Sequence, residues 1–331
     1  MRCAVIGAGA WGTALADLLA AAGHDVRIWA YELDVVQAIN ERHENTRFLA
    51  GARLTPELIA TNEQAEALED ATLVLYATPS THLRSIARAA ASCVHRDAIL
   101  AVASKGIELG SMALMTDVVA AEVANHSVVA LSGPSFAAEV AARQPTAIVA
   151  ASEAPAAARY VQEAMSGGTL RIYTHDDVVG VELGGALKNV MAVATGILEG
   201  VGLGFNSRAA LLTRGLAEMT RLGTSLGARA ATFAGLAGVG DLVLTCTGTL
   251  SRNRALGVEI GQGKTLEEAR AGKETVAEGV VTTASTIELA AREGVEMPIA
   301  EMVYRILFDH HPAKLAAQEL MMRELRSEQD A

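Results

Sequence analysis

Lys188 lies in the stretch VELGGALKNVM, residues 181–191, within an apolar segment from Val178 to Leu198 whose only charged residues are Glu182 and Lys188. A buried lysine is costly unless paired, and burial pulls its pKa down. Such a lysine contributes little to stability but can act as a general base. The alternative is a packed helix from which the lysine snorkels to water. Gly184 and Gly185 disfavour a helix, so they point to the close approach of something flat or of another backbone.

Two further stretches carry chemistry of a different kind. AGVGDL sets Asp241 in a glycine-rich turn, and LSRNRAL, about ten residues on, places Ser251, Arg252, Asn253 and Arg254 at a helix N-terminus. Hydroxyl, guanidinium, amide and free backbone N–H groups together suit a phosphate. A capped helix with exposed arginines would carry the same residues.

These groups need a frame. The first half of the chain alternates short apolar runs with helical segments. Strands are expected at Cys3–Ile6, Val26–Trp29, Leu73–Ala77, Ile99–Ala103, Val128–Leu131 and Ala147–Ala150, with a weaker one at Leu170–Tyr173. A helix is expected over Ala10–Ala22, stopped by Gly23. Continuous apolar strands separated by helices predict a parallel sheet covered on both faces. From about Val178 onward the signals are helical. Asn206 and Ser207 are placed to cap a helix through Leu226, Thr265 and Glu268 form a T-x-x-E capping box, and Pro298 and Pro312 are placed to start helices. The expected fold class is therefore α/β. A Rossmann-type doubly wound sheet over residues 1–180 precedes an all-helical domain over 181–331.

The first strand runs into GAGAWG, a complete G-x-G-x-x-G formed by Gly7, Gly9 and Gly12. Its position between a strand and a helix, with a second strand after the helix, reads as a dinucleotide site. Gly7 permits the tight turn, Gly9 lets the backbone approach a pyrophosphate at the helix N-terminus, and Gly12 allows close packing. Glu32 follows Gly12 by twenty residues, where an acid accepts from the ribose 2′-OH of NAD. No arginine directly follows that strand, which favours NAD and leaves NADP open.

Ligands of such sheets bind at the carboxyl ends of the strands. Three expected loops lie there. Thr78–Ser80 could lie against the cofactor, and Ser104–Gly106 puts Lys105 at the mouth of the cleft. SGPSFA offers Gly133, Ser135 and Ala137 at a helix start, where N–H and hydroxyl groups could bind a carbonyl or an anion.

Composition excludes several classes. The net charge of −11 gives no diffuse positive field for nucleic acid or anionic membranes. The three cysteines are widely spaced with no C-x-x-C, which argues against a disulfide framework or zinc site and suits a reducing, cytoplasmic setting. No metal is called for. The N-terminal run is apolar after Arg2, but Asp17 interrupts it and the glycine spacing explains it better than a signal peptide does. No run of 18 uncharged apolar residues suggests a membrane span.

Taken in order, GAGAWGTALA, SKGIE, LSGPSFAAEV, GALKNVMAVATGI, AGVGDLVLTCTGTLSRNR and VAEGV resemble the bacterial NAD(P)-dependent glycerol-3-phosphate dehydrogenase family over nearly the whole chain. The resemblance implies reversible hydride transfer between dihydroxyacetone phosphate and sn-glycerol 3-phosphate, feeding phospholipid synthesis. It implies that Lys188 handles the proton at the substrate oxygen, with Lys105 and Asp241 beside it in catalysis. Lys105, Gly133, Ser135, Lys188, Asp241, Ser251, Arg252 and Asn253 match substrate-contacting positions. Ala10, Trp11, Tyr31, Lys105, Ala137, Arg252, Val276 and Glu278 match positions at the cofactor, NAD or NADP. Two departures stand out. Relatives often carry a hydroxyl where this chain has Ala10, and an arginine or histidine where it has Tyr31. A homodimer is also expected. The rival reading is a related dehydrogenase of a hydroxy acid or 2-oxo acid, which would have no need of Ser251–Asn253.

Overall fold

The computed structural model describes residues 1–273, 277–325 and 327–328. By internal contacts the chain forms two compact units. The first comprises Met1–Lys105 and Leu114–Val178, and the second comprises Gly106–Ala113 and Val179–Ala331.

The first unit is built on one sheet of eight strands: β1 Arg2–Ile6, β2 Asp25–Trp29, β3 Ile59–Thr61, β4 Leu73–Tyr76, β5 Ile99–Val102, β6 Val128–Ser132, β7 Thr146–Ala151 and β8 Leu170–His175. They lie in the order β3-β2-β1-β4-β5-β6-β7-β8. The strands of the inner sheet are apolar along their length because helices cover both faces, as Leu73–Tyr76, buried throughout, illustrates. Helices α1 Ala10–Ala21, α2 Leu33–Gln37, α3 Gln64–Leu68, α4 Ser80–Ala90, α5 Met115–Glu122, α6 Ala137–Ala141 and α7 Pro155–Met165 connect the strands.

Strand β3 is not legible in the sequence, because three residues are too few to show a period, and one expectation is corrected. The sheet is not wholly parallel: β7 pairs antiparallel with β6, and β8 runs parallel to β7. An apolar run reveals burial but carries no sign of direction.

Chain order reverses at β1, which pairs with β2 on one side and β4 on the other. This is the topological switch point of the sheet, the place where ligands of such folds bind.

The second unit is helical: α8 Val178–Val201, α9 Phe205–Ser225, α10 Ala230–Phe233, α11 Asp241–Thr247, α12 Arg252–Gly261, α13 Leu266–Arg270, α14 Glu278–Glu293, α15 Pro298–Phe308 and α16 Ala313–Met321. Helix α8 is predominantly apolar and buried from Gly180 to Ile197, as a central helix must be. Its 24 residues are long and apolar enough to cross a bilayer, but 89% of the most apolar window is buried inside the protein. Ala230–Thr247 passes the same length and composition test, yet its backbone is non-helical at Gly238.

The capping box at Thr265 and Glu268 is formed, and Pro298 opens α15. Asn206 and Ser207 do not cap α9. They lie in its first turn, and Gly204 is the N-cap. Gly204 stands two residues before Asn206, with extended backbone and no side-chain cap bond.

Candidate active site

In the first unit the glycine turn joins β1 to α1. Gly7 has φ +116°, and a Cβ there would stand 2.8 Å from the Ala77 carbonyl and 2.9 Å from Thr78 Cγ2. A Cβ on Gly12 would overlap the Gly7 carbonyl and reach Ala77 Cβ at 3.2 Å. These two glycines therefore close the turn onto the loop after β4. Gly9 differs: it is the N-cap of α1, and the space beside it is open to at least 4 Å. The first N–H groups of a helix have no partner within it and carry the positive end of its dipole. An open backbone at that point fits a pyrophosphate. Ala10 and Trp11 are the first, half-buried residues of α1. Thr78 is buried, and its Oγ1 is without a hydrogen-bond partner, a spare polar atom beside the same turn.

Tyr31, 81% exposed, follows β2, and Glu32 is the N-cap of α2 with no side-chain cap bond of its own. Its carboxylate is thus not engaged as a helix cap.

The loops after β5 and β6 meet. Lys105 Nζ donates to the Gly133 carbonyl at 3.3 Å, and Ser135 Oγ donates to the same oxygen at 2.9 Å. Gly133 has φ +135°, and a Cβ on it would stand 2.9 Å from the Ile148 Cα of β7. Glycine is thus required there both by conformation and by contact. Ala137 begins α6, so Gly133 and Ser135 precede the helix rather than starting it.

The second unit holds the lysine. Lys188 is 7% exposed and Asp241 fully buried, and the two form an ion pair. Lys188 Nζ also donates to Thr245 Oγ1 at 2.9 Å, and that hydroxyl donates to the Asp241 carboxylate at 3.2 Å. The lysine therefore does not snorkel: a buried carboxylate holds it in the core. Asp241 is the first residue of α11, not part of a free turn, and Thr245 lies one helical turn on. Burial pushes the neighbouring Cys246 thiol up to about 12.

Gly184 explains how Asp241 comes so close. A Cβ on it would overlap the Ala237 carbonyl. The close approach inferred for this glycine is therefore to the backbone before α11. Residues 184 and 188 lie one turn apart on α8, so the same contact that brings 237 in brings Asp241 to the lysine.

The donor cluster is reached through a second crossing. Gly196 of α8 and Gly257 of α12 stand face to face, and a Cβ on either would be 2.9 Å from the other's Cα. Asn253 Nδ2 donates to Asn189 Oδ1 at 2.9 Å, and Asn253 Oδ1 accepts from the Gly279 N–H at 2.9 Å. Asn189 thus orients the cluster rather than the lysine. Ser251 caps α12, its Oγ accepting from the Arg254 N–H at 3.2 Å. Arg254 is clamped by both oxygens of Glu199 at 2.7 Å, whereas Arg252 is exposed. Glu278 heads α14 beside Gly279. Val276 lies outside the described residues. Among the described residues no cluster of His, Cys, Asp or Glu could hold a metal ion.

Sequence reading missed Thr245, Gly279 and Glu199. An i, i+4 spacing from Asp241 was the one available signal for Thr245. The other two depend on pairings far apart in the chain.

The chain matches the family profiles described as NAD-dependent glycerol-3-phosphate dehydrogenase N-terminus, over residues 2–158, and C-terminus, over residues 177–318. It is 51% identical to glycerol-3-phosphate dehydrogenase [NAD(P)+] of Geobacter sp. (strain M21), covering 99% of this chain and 98% of that one. It is 53% identical to the enzyme of the same name from Trichlorobacter lovleyi, covering 99% and 100%. The fold superposes on a crystal structure of glycerol-3-phosphate dehydrogenase from Coxiella burnetii with a TM-score of 0.94 and 40% identity, covering 97% of this chain and 99% of that one. The glycine turn, the buried lysine and the donor cluster are therefore those of a chain that belongs to the NAD-dependent glycerol-3-phosphate dehydrogenase family.

Proposed function

We propose that this protein is an NAD(P)-dependent glycerol-3-phosphate dehydrogenase. It transfers hydride reversibly between sn-glycerol 3-phosphate and dihydroxyacetone phosphate, and so supplies glycerol 3-phosphate for phospholipid synthesis. The observation that carries this reading is the buried Lys188–Asp241–Thr245 group, with Asn189, next to Lys188 on α8, accepting from Asn253 of the donor cluster.

The nicotinamide cofactor, when bound, supplies or accepts the hydride. The chain's own residues do the rest. Lys188 takes the proton from the substrate hydroxyl in oxidation and returns it to the oxygen in reduction. In reduction its ammonium also stabilises the oxyanion that forms at the carbonyl. The family resemblance assigns Lys105 to the same step. Asp241 and Thr245 hold the Lys188 nitrogen in one place, so its proton is delivered from a fixed point. Ser251, Arg252 and Asn253 would bind the phosphate, whose remote binding energy fixes the reacting carbon. Gly133 and Ser135 are assigned to the substrate as well. Gly7, Gly9, Ala10, Trp11 and Gly12 would hold the pyrophosphate end of the dinucleotide, and Tyr31 with Glu32 would face the adenosine ribose. Ala137, Arg252, Val276 and Glu278 complete the cofactor assignment by resemblance.

A cytoplasmic homodimer belongs to the same reading. The three unpaired cysteines suit a reducing compartment, and sedimentation velocity tests the dimer. The activity is tested in the oxidative direction: sn-glycerol 3-phosphate with NAD+ or NADP+ should yield reduced nicotinamide and dihydroxyacetone phosphate. No reduction of either cofactor would overturn the assignment.

A further inference from the structure

Asp17 and Thr13 are polar residues within an otherwise apolar helix, 1% and 0% exposed. They lie one turn apart on the same face of α1. Both are engaged by the segment from His43 to Thr55. Asn45, 1% exposed, donates from Nδ2 to the Ala8 carbonyl at 2.8 Å and to Thr13 Oγ1 at 2.8 Å. Thr13 Oγ1 in turn donates to the Ala8 carbonyl at 3.1 Å. Asn45 Oδ1 accepts from the Phe48 N–H at 3.1 Å. One turn further along, the Asp17 carboxylate accepts from the Thr55 N–H at 2.6 Å and from Arg143 at 2.7 Å.

Ala8 lies between Gly7 and Gly9, inside the glycine turn. In a trans peptide the C=O of one residue and the N–H of the next point in opposite directions. Two side-chain bonds that hold the Ala8 carbonyl inward therefore hold the Gly9 N–H outward. Gly9 is the position whose surroundings are open. A turn with two glycines in three residues is otherwise free to rotate that peptide plane.

We propose that Asn45 is a positioning residue for dinucleotide binding: acting through the Ala8 carbonyl with Thr13, it aims the Gly9 N–H at the cofactor's pyrophosphate. The inference rests on the reading of the glycine turn as the cofactor site. It makes the segment 43–55 a clasp on that turn, fastened at Asn45 and at Thr55. It also gives the buried polar residues of α1 a purpose that core packing does not.

The test is calorimetric titration of Asn45→Ala with NADH and with NADPH, alongside steady-state kinetics. Loss of one net hydrogen bond at the turn should raise the Kd of both dinucleotides about tenfold. The pyrophosphate is common to both, so the two should rise together. At saturating cofactor, kcat and the KM for dihydroxyacetone phosphate should stay within about twofold of wild type. Thr13→Val, which removes the hydroxyl at constant shape, should follow Asn45→Ala, and Thr13→Ser should restore wild-type affinity. Should Asn45→Ala fail to fold, the Thr13 pair decides alone. An unchanged Kd would overturn the proposal. So would an equal loss in every kinetic parameter that tracks the folded fraction. A wild-type protein that binds neither dinucleotide would instead refute the underlying cofactor assignment.

Discussion

Lys188 and Asp241 form a buried ion pair between α8 and the start of α11, with Thr245 bonded to both partners. The pair has two consequences that separate on mutation. Lys188→Ala removes the proposed proton carrier, and kcat should fall by roughly 10²–10⁴. It also takes a charge partner from the fully buried Asp241, at a cost of about 3–5 kcal/mol. The double variant Lys188→Ala, Asp241→Ala should recover much of that stability and none of the activity. Urea unfolding and turnover measured on the same samples check both. Equal instability in the single and double variants would show that packing, not the broken ion pair, dominates.

Gly184 should behave as part of this pair. Its Cα faces the Ala237 carbonyl with no room for a methyl group, and backbone cannot swing away as a side chain can. Gly184→Ala should destabilise by about 1–3 kcal/mol and lower kcat by moving Asp241 off the lysine. Gly204→Ala, where a Cβ meets nothing within 4 Å, is the matched control and should leave kcat unchanged. Thermal midpoints and kcat for the two variants check the contrast.

The second unit also carries a pH-dependent contact remote from Lys188 in sequence. Glu218 on α9 is 2% exposed and accepts from the Ile299 N–H at 2.7 Å and the Ala300 N–H at 3.3 Å, at the start of α15. Burial lifts its carboxyl to about 7, against the pull of those two amides, Arg221 and Arg323. Between the ordinary value of 4.5 and about 7 the folded protein holds a proton that the unfolded chain has released. Stability contributed by this group is therefore complete below 4.5 and is lost as pH rises through 7. The loss should be on the order of 1–3 kcal/mol. Glu218→Gln should flatten the dependence, which urea midpoints across that pH range will show.

What was legible in the sequence followed from locality. Gly7, Gly9 and Gly12 announce their turn because strand, turn and helix are contiguous. Lys188 stood out because a charge in an apolar helix is conspicuous. The capping box at Thr265 was readable for the same reason. The partners were not. That Asp241 opens a helix depends on the kink at Gly238, and that Gly184 serves Ala237 rather than a ligand depends on how two segments 53 residues apart cross. Asn45 carried no local signal at all, since its role lies in a carbonyl 37 residues away. Strand direction was equally invisible, which is why β7 was expected to run parallel.

In the proposed function a phosphate-bearing ketone is held by Ser251, Arg252 and Asn253 while Lys188 handles the proton. The most direct measurement is kcat/KM for dihydroxyacetone phosphate against unphosphorylated hydroxyacetone, in the wild type and in Arg252→Ala. A charge-assisted bond of about 1.5–3 kcal/mol predicts that Arg252→Ala loses roughly 10–100-fold with dihydroxyacetone phosphate and little with hydroxyacetone. Equal rates with both ketones in the wild type, or a carboxylate substrate preferred to either, would rule out phosphate recognition by these residues.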